Sequence, residues 1–321
     1  VSALLIPEKT MATDDTLMNQ HNLASPLVPL SPTLKNQWLA SLELTFCHSA
    51  QGTQLHRTTR KGPLSVQKAF YPEGRDCAHV YLLHPPAGIV SGDELHLALN
   101  IEQSAHTLLT TPGANRFYRA RDDFSIGDPQ QLQVGHYYLK ENAILENLPL
   151  ETLIYEGAHA INQVDIHMTR SSVYLGWDIS CLGSPLTNKP FELGRFTQLN
   201  RLYVDDKLVF HDRIAITPEN QLLHKAAGLA NHSVFATFIV AAPQALAEAS
   251  QRKLLVTELR EKIIDLEAQR KVSVTDIGGV LVIRYLGHHS EECKQYFNAL
   301  WQTARPACIN KPALKPRIWY T

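Results

Sequence analysis

Two pairs of side chains hold the first chemistry in this chain. Asp93 closes a glycine turn in "HPPAGIVSGDELHLALN" (84–100) and His96 follows three residues later; Cys77 and His79 stand two apart just upstream. Carboxylate, imidazole and thiolate are donors that bind zinc, nickel or copper, so these four are candidate ligands. Cys77 and His79 share one face of a strand, as do Asp165 and His167. Asp93 and His96 point to opposite faces unless the turn bends them together. No pair reaches a full ligand set, so the sequence identifies no closed metal site. Fifteen histidines along the chain widen the choice without sharpening it, because scattered histidines are mostly surface and hydrogen-bonding residues.

Ser91, Asp93 and His96 are also the residue types of a catalytic triad, but a triad is assembled by geometry from separate elements. No G-x-S-x-G elbow is present, and no cysteine sits in a family-type nucleophile context. The turns "GIVSGDEL" and "DIGGVLVI" lack the lysine and Ser/Thr of a P-loop. Both lead into strands where phosphate binding needs a helix N-terminus, which argues against a nucleotide site. A metal-dependent hydrolase using Asp93 with nearby histidines, and a ligand-binding β module without a metal role, both stay open here.

The elements that must position these residues are mostly strands. Leu42, Leu44 and Phe46 alternate with polar residues, and Leu95, Leu97, Leu99 and Ile101 do the same. Runs of this kind continue to about Ile216, broken by Gly, Pro, Asn and Asp every 8–15 residues or so, the pattern of an all-β stack, sandwich or barrel. No amphipathic helical segments separate them, so βαβ winding is disfavoured. The last third changes period. Pro243 suits a first helical position, Leu255, Leu259, Ile263 and Leu266 fall on one helix face, and Ser290 suits an N-cap with Glu291 and Glu292 in the first turn. The second helix would bury Cys293, Tyr296, Phe297, Leu300 and Trp301. We expect a poorly ordered tail over 1–35, a β body over 36–230, and an α+β portion over 231–321 packed on that body, with 36–321 as one continuous domain the simplest alternative. The class is mainly β, a stacked or helical-sheet body of solenoid or sandwich type with two C-terminal helices. No fixed-period repeat is visible.

Composition narrows the partners. Thirty basic and thirty-one acidic residues give a net charge of −1, so no global field favours nucleic acid. Charged residues reach only 19% against the usual ~25%, which fits buried sheet or extensive protein contact. Five scattered cysteines without a C-x-x-C pair suit a reducing compartment. The apolar run "VFATFIVAA" is far short of the ~20 residues that cross a bilayer, and no basic leader precedes "ALLI". The expectation is a cytoplasmic protein without a membrane or nucleic-acid partner.

Several turns share a further property. Pro112-Gly113 in "TTPGANRFYRA" suits the centre of a type II turn. Taken in order, "YLLHPPAGIVSGDEL", "HTLLTTPGANRFYRA", "LPLETLIYEGA", "GWDISCLGSP" and the terminal "PRIWYT" closely resemble the urease accessory protein UreD family, called UreH in some organisms. The likeness runs from about Trp38 to Thr321. It implies a non-enzymatic scaffold with a mostly β, stacked helical-sheet fold and two helices. The implied partners are apo-urease, a UreF-like protein and a UreG-like GTPase. No cofactor would be tightly bound; Ni²⁺ would be in transit, along a water-filled internal tunnel. The resemblance assigns Asp93, Asn115 and Glu151 to polar positions of that tunnel. His84, Gly88, Gly92, Pro112, Gly113, Arg116, Tyr118 and Arg119 lie inside the matched loops. Ala87 and Ser91 stand where the family usually has glycine, and Lys189 stands where many relatives carry glutamate, with Glu192 nearby.

Overall fold

The alternating apolar residues do form strands in the computed structural model, which describes residues 38–86, 88–184 and 190–320. The expected tail, Ala87 and Lys189 fall outside these residues. In chain order the first strands are β1 (Trp38–Ser49), β2 (Gly52–Lys61), β3 (Ser65–Val66), β4 (Cys77–Leu83), β5 (Asp93–Ile101) and β6 (His106–Thr110). Next come β7 (Asn115–Phe117), β8 (Gln131–Leu139), β9 (Ile144–Asn147), β10 (Thr152–Ile154), β11 (His159–Met168) and β12 (Val173–Leu182). The series ends with β13 (Arg195–Val204), β14 (Lys207–Ile216), β15 (Val234–Ala241), α1 (Ala249–Asp265), β16 (Val272–Asp276), β17 (Val280–Gly287) and α2 (Ser290–Ile309).

These strands make two stacked sheets. The seven-stranded sheet runs β14-β13-β11-β8-β5-β1-β2, and the ten-stranded sheet runs β16-β17-β15-β12-β9-β6-β4-β3, with the short β10 and β7 attached beside β12. The chain alternates between them from β4 to β13, so each sheet gains its next strand in the same direction. Neighbours β5, β8, β11 and β13 are therefore parallel, as are β4, β6, β9 and β12. Parallel pairing usually needs a helical crossover; here the opposite sheet carries the return. Cys77 pairs with His106, His106 with Ile144, and Ile144 with Val173, so successive coils use unequal lengths of chain. That inequality removes any fixed period from the sequence.

Both sheets bury one face in a shared interior. Ala40, Leu42, Leu44 and Phe46 of β1 and Leu95, Leu97, Leu99 and Ile101 of β5 point inward against Ala78, Val80, Leu109 and Leu145 of the other sheet. Each leucine so buried contributes about 1.5–3 kcal/mol. The outer face of the ten-stranded sheet is covered by α1 and α2, and β15 (VFATFIVA) is consequently buried at every position. The C-terminal strands β15, β17 and β16 extend this sheet, and the described residues belong to one compact unit.

Two helix starts differ from expectation. Pro243 is not at N1: α1 begins at Ala249 behind Glu248, because residues 243–246 form a turn that Leu246 N–H closes on Ala242 O. At α2 the N-cap is His289, and Ser290 is the first helical residue, with Glu291 and Glu292 in the first turn as expected. Among the described residues no helix is long and apolar enough to cross a membrane.

Candidate functional site

The topology gathers the matched loops at one end of the stack. Among the described residues, each crossing from the ten-stranded to the seven-stranded sheet, β4 to β5, β7 to β8, β10 to β11 and β12 to β13, leaves at that end. The returns, 102–105, 140–143 and 169–172, are tight and lie at the other end. The long loops are stitched together. Ile89 N–H donates to Arg116 O at 2.7 Å, Tyr118 N–H to Ile89 O, Gly92 N–H to Gln130 O and Ala120 N–H to Gly157 O. Ser91 Oγ accepts from Arg121 N–H at 2.7 Å, and the Arg121 guanidinium reaches Ser91 O, Gly127 O and Asp128 O. Arg121 carried no signal in the sequence, because its partners are backbone carbonyls.

Asp93 opens β5 and is buried. Its Oδ2 accepts from Val90 N–H at 3.0 Å, and burial pushes its pKa up against that hydrogen bond. Gly92 takes φ +83°, which a side chain would strain, so the turn before Asp93 requires glycine. Gly88 is needed for a different reason: a Cβ there would meet the Tyr118 ring at 2.3 Å. Tyr118 in turn stacks on Tyr155. His96 lies on the opposite face from Asp93, beside Glu94 at 3.3 Å, so this pair forms no joint metal site. His84 is half-buried, and desolvation lowers its pKa. Arg116 lies in β7, and exposed Arg119 pairs with Asp122 and packs beside Gly157. Pro112 and Gly113 are exposed. Gly113 lacks the positive φ of a type II turn, because the chain extends at once into β7, paired with β10.

Asn115 starts a line of amides. Its Nδ2 donates to Gln133 Oε1 at 3.0 Å, Gln133 to Asn162 at 3.2 Å, Asn162 to Gln198 at 2.9 Å, and Gln198 to Asn200 at 3.2 Å. The line crosses β8, β11 and β13 on their inward faces. A cavity of about 40 Å³ adjoins it, lined by Gln133, Asn162 and Tyr137 among apolar residues; that is room for about one water. Across the interior on β12, Asp178 has its pKa pushed up to about 7 by burial, eased by the Asn200 amide and raised further by the charge of Asp212. Glu151 goes elsewhere. Its Oε2 pairs with Lys294 Nζ of α2 at 3.1 Å, although its backbone O accepts from Asn115 N–H. Among the described residues no side-chain hydrogen bond or ion pair joins Asp93, Asn115 and Glu151 to one another. Glu192 N–H and Leu193 N–H both donate to the Glu156 carboxylate, which pins that loop to the same end.

The pair Cys77 and His79 lies on the far face of the ten-stranded sheet, beneath α2. Glu73 Oε1 is 2.7 Å from His79 Nε2, and Glu146 Oε1 is 2.8 Å from His106 Nε2. Arg305 of α2 bonds both carboxylates, and Trp301 Nε1 donates to Glu146 at 2.7 Å. Burial opposes ionisation of Glu146, but His106 and Arg305 outweigh it and hold the pKa at about 2. Burial drives the Cys77 thiol well above its usual range.

Comparison with known proteins bears on the loops. The family described as "UreD urease accessory protein" matches residues 39–320. A urease accessory protein UreD from Psychromonas ingrahamii is 57% identical over 299 residues, covering 91% of this chain and 97% of the relative. Proteins of the same name from a Marinomonas species and from Vibrio parahaemolyticus are 38% and 35% identical, covering 94% and 88% of this chain.

Proposed function

This chain belongs to the UreD urease accessory protein family, and on that footing we propose that it matures urease by conducting nickel between partner proteins. In this reading it is a scaffold without turnover of its own, working in the cytosol. It bridges apo-urease and a UreF-like protein, and accepts Ni²⁺ released by a UreG-like GTPase. The observation that carries the reading is the amide line from Asn115 to Asn200, which runs across β8, β11 and β13 between the sheets, near the end where the matched loops converge. Neutral amide oxygens attract a divalent cation weakly and can exchange with water, so they favour passage over capture. Buried Asp93 offers a carboxyl at the loop end, and Asp178, which loses its proton only near pH 7, offers one deeper in. Glu151, bound by Lys294, would admit nickel only after that ion pair opens.

The test uses cells that contain urease and its other accessory proteins. Deleting this protein is expected to leave urease present but inactive and poor in nickel. Asp93→Asn keeps an acceptor for Val90 N–H and removes the charge, so it should lower urease nickel content several-fold while co-purification with partners persists. Full urease activity in the deletion strain would end the proposal.

A further inference from the structure

The amide line ends at Asn200. Its Oδ1 accepts from Gln198, and its buried Nδ2 has no hydrogen-bond partner among the described residues. Strand register shows what lies beyond it. Asn200 pairs with Asp212 of β14, the last strand of the seven-stranded sheet, so both side chains share the inward face. On the opposing sheet Asp178, Thr237 and Arg284 pair in turn across β12, β15 and β17. The outer members of the two rows join across the gap. Arg284 donates from Nη1 to Asp212 Oδ2 at 3.0 Å and from Nη2 to Asp212 Oδ1 at 2.9 Å. Nη1 also reaches Thr237 Oγ1 at 3.2 Å.

This ion pair stands where the space between the sheets meets the side of the molecule. The Arg284 side chain keeps 42% of its exposure and that of Asp212 13%, whereas Thr237 and Asn200 are buried. The neighbouring inward positions are apolar: Phe210, Ile214 and Ile216 on β14, and Val280, Val282 and Leu286 on β17. Apolar residues of similar size often hold two sheets together as well as an ion pair does, so fastening alone does not account for a charge here. A guanidinium bound to both oxygens occupies the carboxylate fully. It does not lose its proton, so only movement of the side chain frees Asp212. Half-exposed Arg284 can swing outward without unpacking the core.

We propose that the Arg284–Asp212 pair closes a lateral mouth of the interior, and that Asp212 exchanges the guanidinium for a divalent cation when the mouth opens. The proposal rests on the nickel-conducting reading, to which it adds a second, gated end for the amide line. The exchange swaps one cationic partner of Asp212 for another, so the carboxylate is never left uncompensated.

Manganese(II) is the probe, because carboxylate, amide and hydroxyl oxygens suit it and surface imidazoles compete for it weakly. Free Mn²⁺ would be read by electron paramagnetic resonance in titrations of the full chain. Arg284→Gln keeps a donor for Asp212 and removes the cation, so it should bind Mn²⁺ roughly tenfold more tightly than the wild type, and Ni²⁺ should displace it. Asp212→Asn in that background removes the gain. Arg213→Gln, on the outward face of the same strand, gives none. Should Arg284→Gln fail to fold, Arg284→Lys keeps the charge but loses the two-point contact, and a smaller gain is expected. Unchanged affinity in the folded variant, a gain that survives Asp212→Asn, or an equal gain in Arg213→Gln would overturn the gate. These outcomes are separate from the urease readout: active urease in the deletion strain ends the conducting reading, whereas a failed Mn²⁺ test beside inactive urease ends the gate alone.

Discussion

Asp178 sits between the sheets with its carboxyl pushed up to about 7 by burial and by the charge of Asp212. An unfolded chain would release that proton near pH 4. Between those values the folded state holds a proton that the unfolded state has lost, so this group makes stability fall as pH rises, and the loss is complete above about 7. Asp178→Asn should remove the slope and raise stability at pH 8 by ~1–3 kcal/mol, allowing for partial solvent access. Urea unfolding at pH 5 and pH 8 checks this; an unchanged slope in the variant would mean that another group titrates. Residue type in the sequence pointed to Asp93, Cys77 and His79, but not to Asp178, Glu146 or Arg305. Those three matter through neighbours far along the chain: Arg305 meets Glu73 and Glu146, and Asp178 meets Asn200 and Asp212. Local spacing carries no trace of such meetings.

At the scale of the element, α2 is held by charge as well as by Phe297, Leu300 and Trp301. Arg305 is fully buried and shared between two carboxylates. Removing it as Arg305→Met should cost ~3–5 kcal/mol, because Glu73 and Glu146 would stay buried without their cation. Adding Glu146→Gln should restore part of that loss, and denaturant midpoints of the single and double variants would show whether the coupling exists. The apolar stripes of both helices were legible from their spacing. The exact start of α1 was not, since Pro243 can open a helix or close a turn equally well, and tertiary contact decides.

For the whole molecule, period-two alternation was enough to recover a mainly β stack, and five ordered motifs pointed to the family. The parallel pairing was hidden, because alternation is the same in both directions and the coils differ in length. Amide hydrogen exchange should be slowest in β5, β8, β11 and β15, which have neighbours on both sides, and faster in the edge strands β2 and β14. Comparable rates at edge and centre would contradict the sheet order. The crossings have a further consequence. Insertions at exposed positions of the long crossing 118–130, such as those around Phe124 and Ile126, lengthen the crossing without altering strand alignment. One extra residue in 102–105 or 140–143 would turn the next strand's core side chains to the wrong face. The molecule thus has a tolerant pole and an intolerant one: new recognition surfaces can be grafted onto the first, while the second must keep its length.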